Sequence, residues 1–339
     1  MTYWTGTWDP RQEAISKEIN TLRSGTRASA PVVAFSSANV TRLVTRERAV
    51  TLSHRRWGML RVIAAAVEPL GHVTHVFGGQ SSWHLIRALG RRPIVLTAVV
   101  AGQPGQALPH TKLSRVVVET EDQADEWLSL KIPAERMELV RPGIDLTWHV
   151  PTAPESLARF RLLFASTPSD ASEIAARGLP LMIELARQRP DIDLVIPWRQ
   201  WGDVGAVTAA FKALRPPANV IVSHDAIADM RHHFATTHAT LLCFEKGAGK
   251  ASPNFVLEGL ASGRPCLTSS DNSLGALLTR TGGGIVAAPE VAALSAAVDR
   301  LREHWACYSE RSRVVAERYF DLSVFRASYD RIYRQVAGT

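Results

Sequence analysis

Apolar residues fall along this chain in two alternating rhythms. Short runs rich in β-branched residues, "PVVAFSS" (31–37), "HVTHVFGG" (72–79), "PIVLTAVV" (93–100) and "RVVVET" (115–120), are bounded by Gly, Pro or polar turns and predict buried strands. Between them "EAISKEINTLR" (13–23), "RRWGMLRVIAAAVEPL" (55–70), "SSWHLIRALG" (81–90) and "EDQADEWLSL" (121–130) predict helices. Strands that alternate with helices and are apolar throughout build a parallel sheet covered on both faces.

The second half repeats the pattern. "RFRLLFAS" (159–166), "DLVIPW" (193–198), "NVIVSH" (219–224), "ATLLCF" (239–244), "PCLTSS" (265–270) and "GGIVAAP" (283–289) read as strands, and "LPLMIELARQRP" (179–190) as a helix. Periodicity lapses in the Pro-rich "RPGIDLTWHVPTAPES" (141–156), which predicts one Rossmann-like domain over 1–150 and a second over 151–320. Over 321–339, Phe325, Tyr329, Ile332, Tyr333 and Val336 recur at helical spacing while Arg326, Arg331 and Arg334 face elsewhere, so this helix needs a surface to cover. The fold class is α/β, two doubly wound sheets. Such sheets bind ligands at the carboxyl ends of their strands, and a cleft between the two domains is where function is expected.

Composition narrows the classes. With 46% hydrophobic and 21% charged residues and no low-complexity tract, the chain is an ordinary folded protein. The longest apolar stretches, such as 93–102, fall short of the ~20 residues of a membrane span, and the start lacks the order of a signal peptide, so a cytoplasmic location is expected. Cys243, Cys266 and Cys307 have no CxxC spacing and are expected to be buried thiols.

The net charge of +7 is uneven: residues 1–150 carry 18 Lys/Arg against 13 Asp/Glu, residues 151–339 carry 21 against 19. "RLVTRERAVTLSHRRWGMLR" (42–61) gathers the excess beside Trp57, Met59 and Leu60. It reads as a solvated helix face, or as a peripheral contact with anionic membrane or an anionic substrate. The charge is too spread, and recognition motifs too absent, for nucleic acid.

The candidate chemistry centres on "KASPNFVLEGLASGRPCLTSS" (250–270). Ser252 is placed to cap a helix, Pro253 to begin it, and Gly263 followed by Pro265 to end it. Its free N-terminal amides suit a phosphate. Asn254 and Glu258, four apart, share one face, where a carboxylate can accept hydrogen bonds from vicinal ribose hydroxyls; the plainer role for Glu258 is to complement the helix dipole.

This segment, extended to residue 301, resembles the nucleotide-sugar segment of family-4 glycosyltransferases of GT-B fold, whose pattern is a glutamate, seven residues, then a second glutamate in "E-A-x-A-x-G-x-P-V". Glu258, Gly263 and Pro265 match the second glutamate, the glycine and the proline. "SRVVVETEDQADEWLSLKIPAERMELVRPGID" (114–145) is similar to the family's strand, helix and entry to the interdomain link. The resemblance spans nearly the whole chain and implies that the terminal helix crosses back to the first domain. It implies a retaining transfer from a nucleoside diphosphate sugar to a glycan, lipid-linked or small-molecule acceptor, with no cofactor beyond the donor. Glu258 would bind the donor ribose, and Asn254, Phe255 and Val256 would offer backbone or side-chain contacts near the sugar and diphosphate. "YWTGTWDPRQEAISKE" (3–18) resembles the strand, loop and helix that close over the phosphates, making Gly6 and Thr7 donor-loop candidates and Trp8 and Asp9 acceptor-side candidates.

Departures from the pattern are specific. Lys250 stands where the first glutamate is usual, Val99 where Thr-x-His would place the histidine, Arg177-Gly178 where Lys-Gly is usual, and Ser166, Thr167 and Pro168 where an arginine would lie. The leaving diphosphate needs fixed positive charge, and Arg177, Lys250 and Arg199 are the cations expected to supply it without a metal. A non-catalytic nucleotide-sugar or glycan-binding relative is the alternative these departures raise.

Other chemistries are excluded by pattern. "GAGKAS" (247–252) has Phe244 where a P-loop needs its first glycine and Ala251 where it needs Ser or Thr; "TGGGIV" lacks G-x-G-x-x-G; G-x-S-x-G and H-E-x-x-H do not occur. His232, His233 and His238 lack carboxylates at ligand spacing.

Overall fold

The computed structural model describes residues 1–11, 13–24, 29–36, 42–44, 48–53, 58–79, 83–99, 110–154, 159–224 and 229–338. The chain divides into two compact units, Met1–Gly143 with Ser323–Thr339, and Ile144–Leu322.

The first unit runs β1 (Thr2–Thr5), α1 (Ala14–Leu22), β2 (Val32–Ser36), β3 (Arg42–Val44), β4 (Ala49–Ser53), α2 (Leu60–Val67), β5 (Thr74–Gly78), α3 (Trp83–Ala88), β6 (Ile94–Ala98), β7 (Leu113–Val118), α4 (Glu121–Ser129) and β8 (Met137–Leu139). The second runs β9 (Phe160–Leu163), α5 (Glu173–Ala176), α6 (Leu179–Gln188), β10 (Ile192–Pro197), α7 (Val204–Ala213), β11 (Val220–Ser223), α8 (Met230–Ala235), β12 (Ala239–Leu242), α9 (Asn254–Ala261), β13 (Cys266–Ser269), α10 (Gly275–Thr281), β14 (Gly284–Ala287), α11 (Val291–Glu303) and α12 (Trp305–Tyr319), and α13 (Leu322–Ala337) then returns the chain to the first unit.

The first sheet has eight strands in the order β3-β4-β2-β1-β5-β6-β7-β8, parallel except for β3 against β4. Because the chain builds outward from β1 in both directions, the carboxyl end of β1 is the switch point, and residues 6–9 leave the sheet there. The basic segment 42–61 contains the strands β3 and β4, a departure from the expected helix face. In β4, Val50 and Leu52 lie level with Val33 and Phe35 of β2, and that pairing overrides the charged surroundings. Trp57 lies outside the described residues.

Helix α13 closes one face of this sheet. Its predicted stripe of Phe325, Tyr329, Ile332, Tyr333 and Val336 is buried. His75 joins the helix to the sheet: its Nδ1 is 2.7 Å from Tyr333 OH and its Nε2 2.8 Å from Thr97 Oγ1, which is 2.7 Å from Tyr329 OH. Burial pushes the Tyr329 hydroxyl well above the usual tyrosine range, so it stays neutral.

The second sheet has six parallel strands in the order β11-β10-β9-β12-β13-β14, with its switch point between β9 and β12. The chain enters this unit at Ile144, earlier than the lapse in periodicity suggests, because the Ile144 amide donates to Phe320 O at 2.7 Å and Ile144 bridges Asp321. Cys243 and Cys266 are buried, but Cys307 is exposed, off the stripe of Tyr308, Ser312, Val315 and Ala316 that seats α12. Among the described residues no helix is long and apolar enough to cross a membrane.

Candidate functional site

Helix α9 begins directly after the loop that leaves β12, on the switch-point side of the second sheet. Its residues are buried except two, Asn254 and Glu258, which are partly exposed and four apart. A helix so enclosed keeps a carboxylate at the surface only on the face left open to water or ligand. The N-cap is Pro253, extended at ψ 129°, and Ser252 does not cap the helix as its position suggests. Proline fixes φ at −63° and lets helical geometry start only at Asn254, leaving Ser252 a residue too early. Ser252 Oγ and Asn254 Oδ1 are shielded from solvent and have no hydrogen-bond partner among the described residues. Both oxygens can still accept a hydrogen bond from a donor outside the described residues.

Phe255 and Val256 have no side chain to offer a ligand, which leaves only their backbone for such a contact. Their side chains are 5% and 0% exposed, packed in the core, where Phe255 meets Phe164 edge-on at 5.9 Å. The Val256 amide donates to Pro253 O at 3.0 Å, so it too is withdrawn. The amides of Asn254 and Phe255, first in the helix, have no acceptor within it. At the far end Gly263 adopts φ +71°; its amide donates to Leu260 O at 3.0 Å and that of Arg264 to Gly259 O at 2.7 Å, the paired closure that a left-handed residue permits.

Arg177 and Ser166 are brought together. Arg177 Nη1 donates to Ser166 O at 3.1 Å and to Ser166 Oγ at 2.8 Å, and the guanidinium sits 5.7 Å from the centre of the Phe244 ring. Gly249 packs on the same ring: a Cβ there would lie 2.5 Å from Phe244 Cε2. Phe244 thus ties Arg177 to the loop before α9. Gly178 is required next to it, since at φ +72° a Cβ would lie 2.0 Å from Cys243 O. Lys250 Nζ donates to Ser252 O at 3.0 Å, folding back over the loop that precedes the helix.

Thr167 and Arg199 form a second pairing. The Arg199 amide donates to Thr167 Oγ1 at 3.3 Å, Trp201 Nε1 donates to Thr167 O at 3.1 Å, and the Arg199 guanidinium lies 3.9 Å over the Trp201 ring. Three residues absent from the sequence-based set therefore shape the site: Glu173, which bonds Arg177, and the rings of Phe244 and Trp201. The Glu173–Arg177 pair was legible as a four-residue spacing on a short helix. Nothing local marks Phe244.

In the first unit Gly6 and Asp9 are exposed and Thr7 and Trp8 partly so. Gly6 has open space where a Cβ would be, so packing does not demand a glycine. Asp9 shapes the turn into α1: its amide donates to Ser16 Oγ at 3.0 Å and its carboxylate accepts from the Arg11 amide at 3.1 Å. Trp8 has the Arg23 guanidinium 5.5 Å from its ring. Val99 is fully buried.

The Asp-x-Asp of this chain, Asp191-Ile192-Asp193, lies at the opposite, amino end of β10. Asp191 is held by Arg189 at 2.8 Å and Arg302 at 2.8 Å, and Asp193 by Arg159 at 3.2 Å and Arg161 at 3.0 Å. These carboxylates are spent on arginines. Among the described residues no group of three or more His, Cys, Asp or Glu could hold a metal ion.

No family model and no curated protein sequence matches the chain. Its fold is matched by solved structures. Anabaena HepE, in complex with UDP and glucose, aligns over 98% of this chain and 99% of its own at 12% identity and a TM-score of 0.74. Sucrose-phosphate synthase from Thermosynechococcus elongatus aligns over 98% of both chains at 13% identity and a TM-score of 0.71. An α,α-trehalose-phosphate synthase (UDP-forming) from Burkholderia xenovorans, in complex with glucose-6-phosphate, aligns over 98% and 99% at 11% identity and a TM-score of 0.71. The fold is of the GT-B class, two Rossmann-like units.

Proposed function

We propose that this protein is a glycosyltransferase that takes a sugar from a nucleoside diphosphate donor and passes it, with retention, to a glycan, lipid-linked or small-molecule acceptor. The observation that carries this reading is α9: buried except for Asn254 and Glu258, with its first two amides unpaired inside the helix, beside an oriented Arg177. Glu258 binds the ribose hydroxyls, and Asn254 and the amides of residues 254–255 receive the diphosphate. As the bond between the sugar and the phosphate oxygen breaks, its electron pair leaves with the diphosphate, the acceptor's hydroxyl oxygen bonds the anomeric carbon, and the hydroxyl proton passes to the departing phosphate oxygen. Arg177 and Lys250 offset that charge, with Arg199 at the edge. No metal takes part, so activity survives EDTA. Loss of activity restored by magnesium or manganese would reject that element of the reading.

UDP and UDP-glucose, present in complexes of Anabaena HepE, which has a similar fold, support starting with uridine ligands. A thermal-shift screen of nucleoside diphosphates and their sugars tests the proposal, since a ligand at 100 times its dissociation constant stabilises by roughly 2.7 kcal/mol. No shift with any of them would overturn it. A second reading, a binding protein without turnover, is favoured by Val99 and Lys250 standing where the resembled family has its histidine and first glutamate. Binding without transfer or slow hydrolysis of the donor would establish it.

A further inference from the structure

Helix α2 is packed on one side and apolar on the other. Leu60 and Ala64 are buried, whereas Met59, Val62 and Leu70 are 47%, 67% and 69% exposed. Ala65, Ala66 and Pro69 are exposed between them, so the six residues form one outward stripe along the helix and the turn that follows it. The outward face of a helix in water ordinarily carries charge. Within α2 only Arg61 does.

Charge in this stretch of the sequence has one sign. Between Glu47 and Glu119 the sequence has nine Lys or Arg and a single carboxylate, Glu68. Glu68 is fully buried; it accepts from Thr74 Oγ1 at 3.0 Å, the Gly90 amide at 3.1 Å and the Arg91 amide at 3.3 Å. That stretch therefore presents no carboxylate at the surface. Arg61, His84 and Arg87 are exposed and, with Leu60 and Ala88, line a groove of about 520 Å³ between α2 and α3.

We propose that this face rests on a lipid bilayer with anionic headgroups. The stripe from Met59 to Leu70 enters the headgroup boundary while Arg61 and Arg87 meet lipid phosphates, an arrangement of apolar area and cations that binds membranes peripherally. The contact lies in α2 and α3, beyond the strands that occupy much of 42–61. All its residues are in the first unit, and none belongs to the donor site, so it stands apart from the reaction proposed above.

The whole protein is sedimented with vesicles of phosphatidylcholine alone and of phosphatidylcholine with phosphatidylglycerol. It pellets with the anionic vesicles at low salt and is released as salt screens the attraction. Val62→Glu with Leu70→Glu lowers partitioning by roughly tenfold or more. Arg61→Gln with Arg87→Gln lowers it by about fivefold per cation at low salt. Unchanged circular dichroism and nucleotide affinity show that the variants are folded. The proposal fails if the wild-type chain ignores anionic vesicles at low salt, or if the double glutamate variant pellets as well as wild type. It also fails if the face forms a dimer that the same variant abolishes while vesicles go unbound, which would assign it to a second copy of the chain.

Discussion

Arg177 and Glu173 stand one helical turn apart and meet at a single oxygen, with Arg177 Nε 3.0 Å and Nη2 2.9 Å from Glu173 Oε2. The guanidinium is thereby aimed before any ligand arrives, with Nη1 turned to Ser166. Arg177→Met should weaken binding of a nucleoside diphosphate by about 10- to 100-fold and leave binding of the bare nucleoside unchanged. Calorimetry with the two ligands decides it: equal losses for both would make the arginine a support of the loop alone.

Glu258 occupies one of the two partly exposed positions of a buried helix. Glu258→Ala should therefore leave the melting temperature nearly unchanged while costing about 1.5–3 kcal/mol of nucleotide affinity. An unaltered dissociation constant would return the residue to the role of a dipole partner.

Lys250 is tied to Ser252 O, immediately before the helix. If it offsets the charge of the departing diphosphate as proposed, Lys250→Met should lower kcat by ~10²–10³ with modest change in KM. A lower melting temperature with kcat intact would show that its task is only to close the loop.

His238 supplies a pH-dependent term. Burial, aided by the charges of Arg264, Arg161 and Arg302, lowers its pKa to about 4, and its Nδ1 accepts from the Arg161 amide at 3.0 Å. Between that value and the ordinary histidine range the unfolded chain binds the extra proton, so stability falls as pH drops through this window. His238→Asn keeps an acceptor and cannot titrate. Urea midpoints measured across the window should flatten in this variant, and an unchanged slope would place the acid sensitivity elsewhere.

The candidate site was legible where chemistry follows local spacing. Asn254 and Glu258 share a face because they are four apart, and Gly263 ends α9 because it tolerates φ +71°. The fate of Ser252 and of Phe255 and Val256 was not legible, since a proline at the cap shifted the helix start by one residue and burial depends on what packs above.

By itself the sequence determined the alternation of strand and helix, the enclosed character of both sheets and the apolar stripe of α13, because periods of two and near 3.6 are properties of a segment and its own side chains. Only the tertiary structure decided that residues 42–44 and 49–53 pair as strands, that the second unit starts at Ile144, that Asp191 and Asp193 lie on arginines at the far end of β10, and that Phe244 joins Arg177 to the loop of Lys250. These rest largely on partners remote in sequence, β2 beside β4, Phe320 at Ile144, Arg302 and Arg161 at the two aspartates and Phe244 beside Arg177, whose approach is set by sheet order and packing and leaves no periodic trace in the residues themselves.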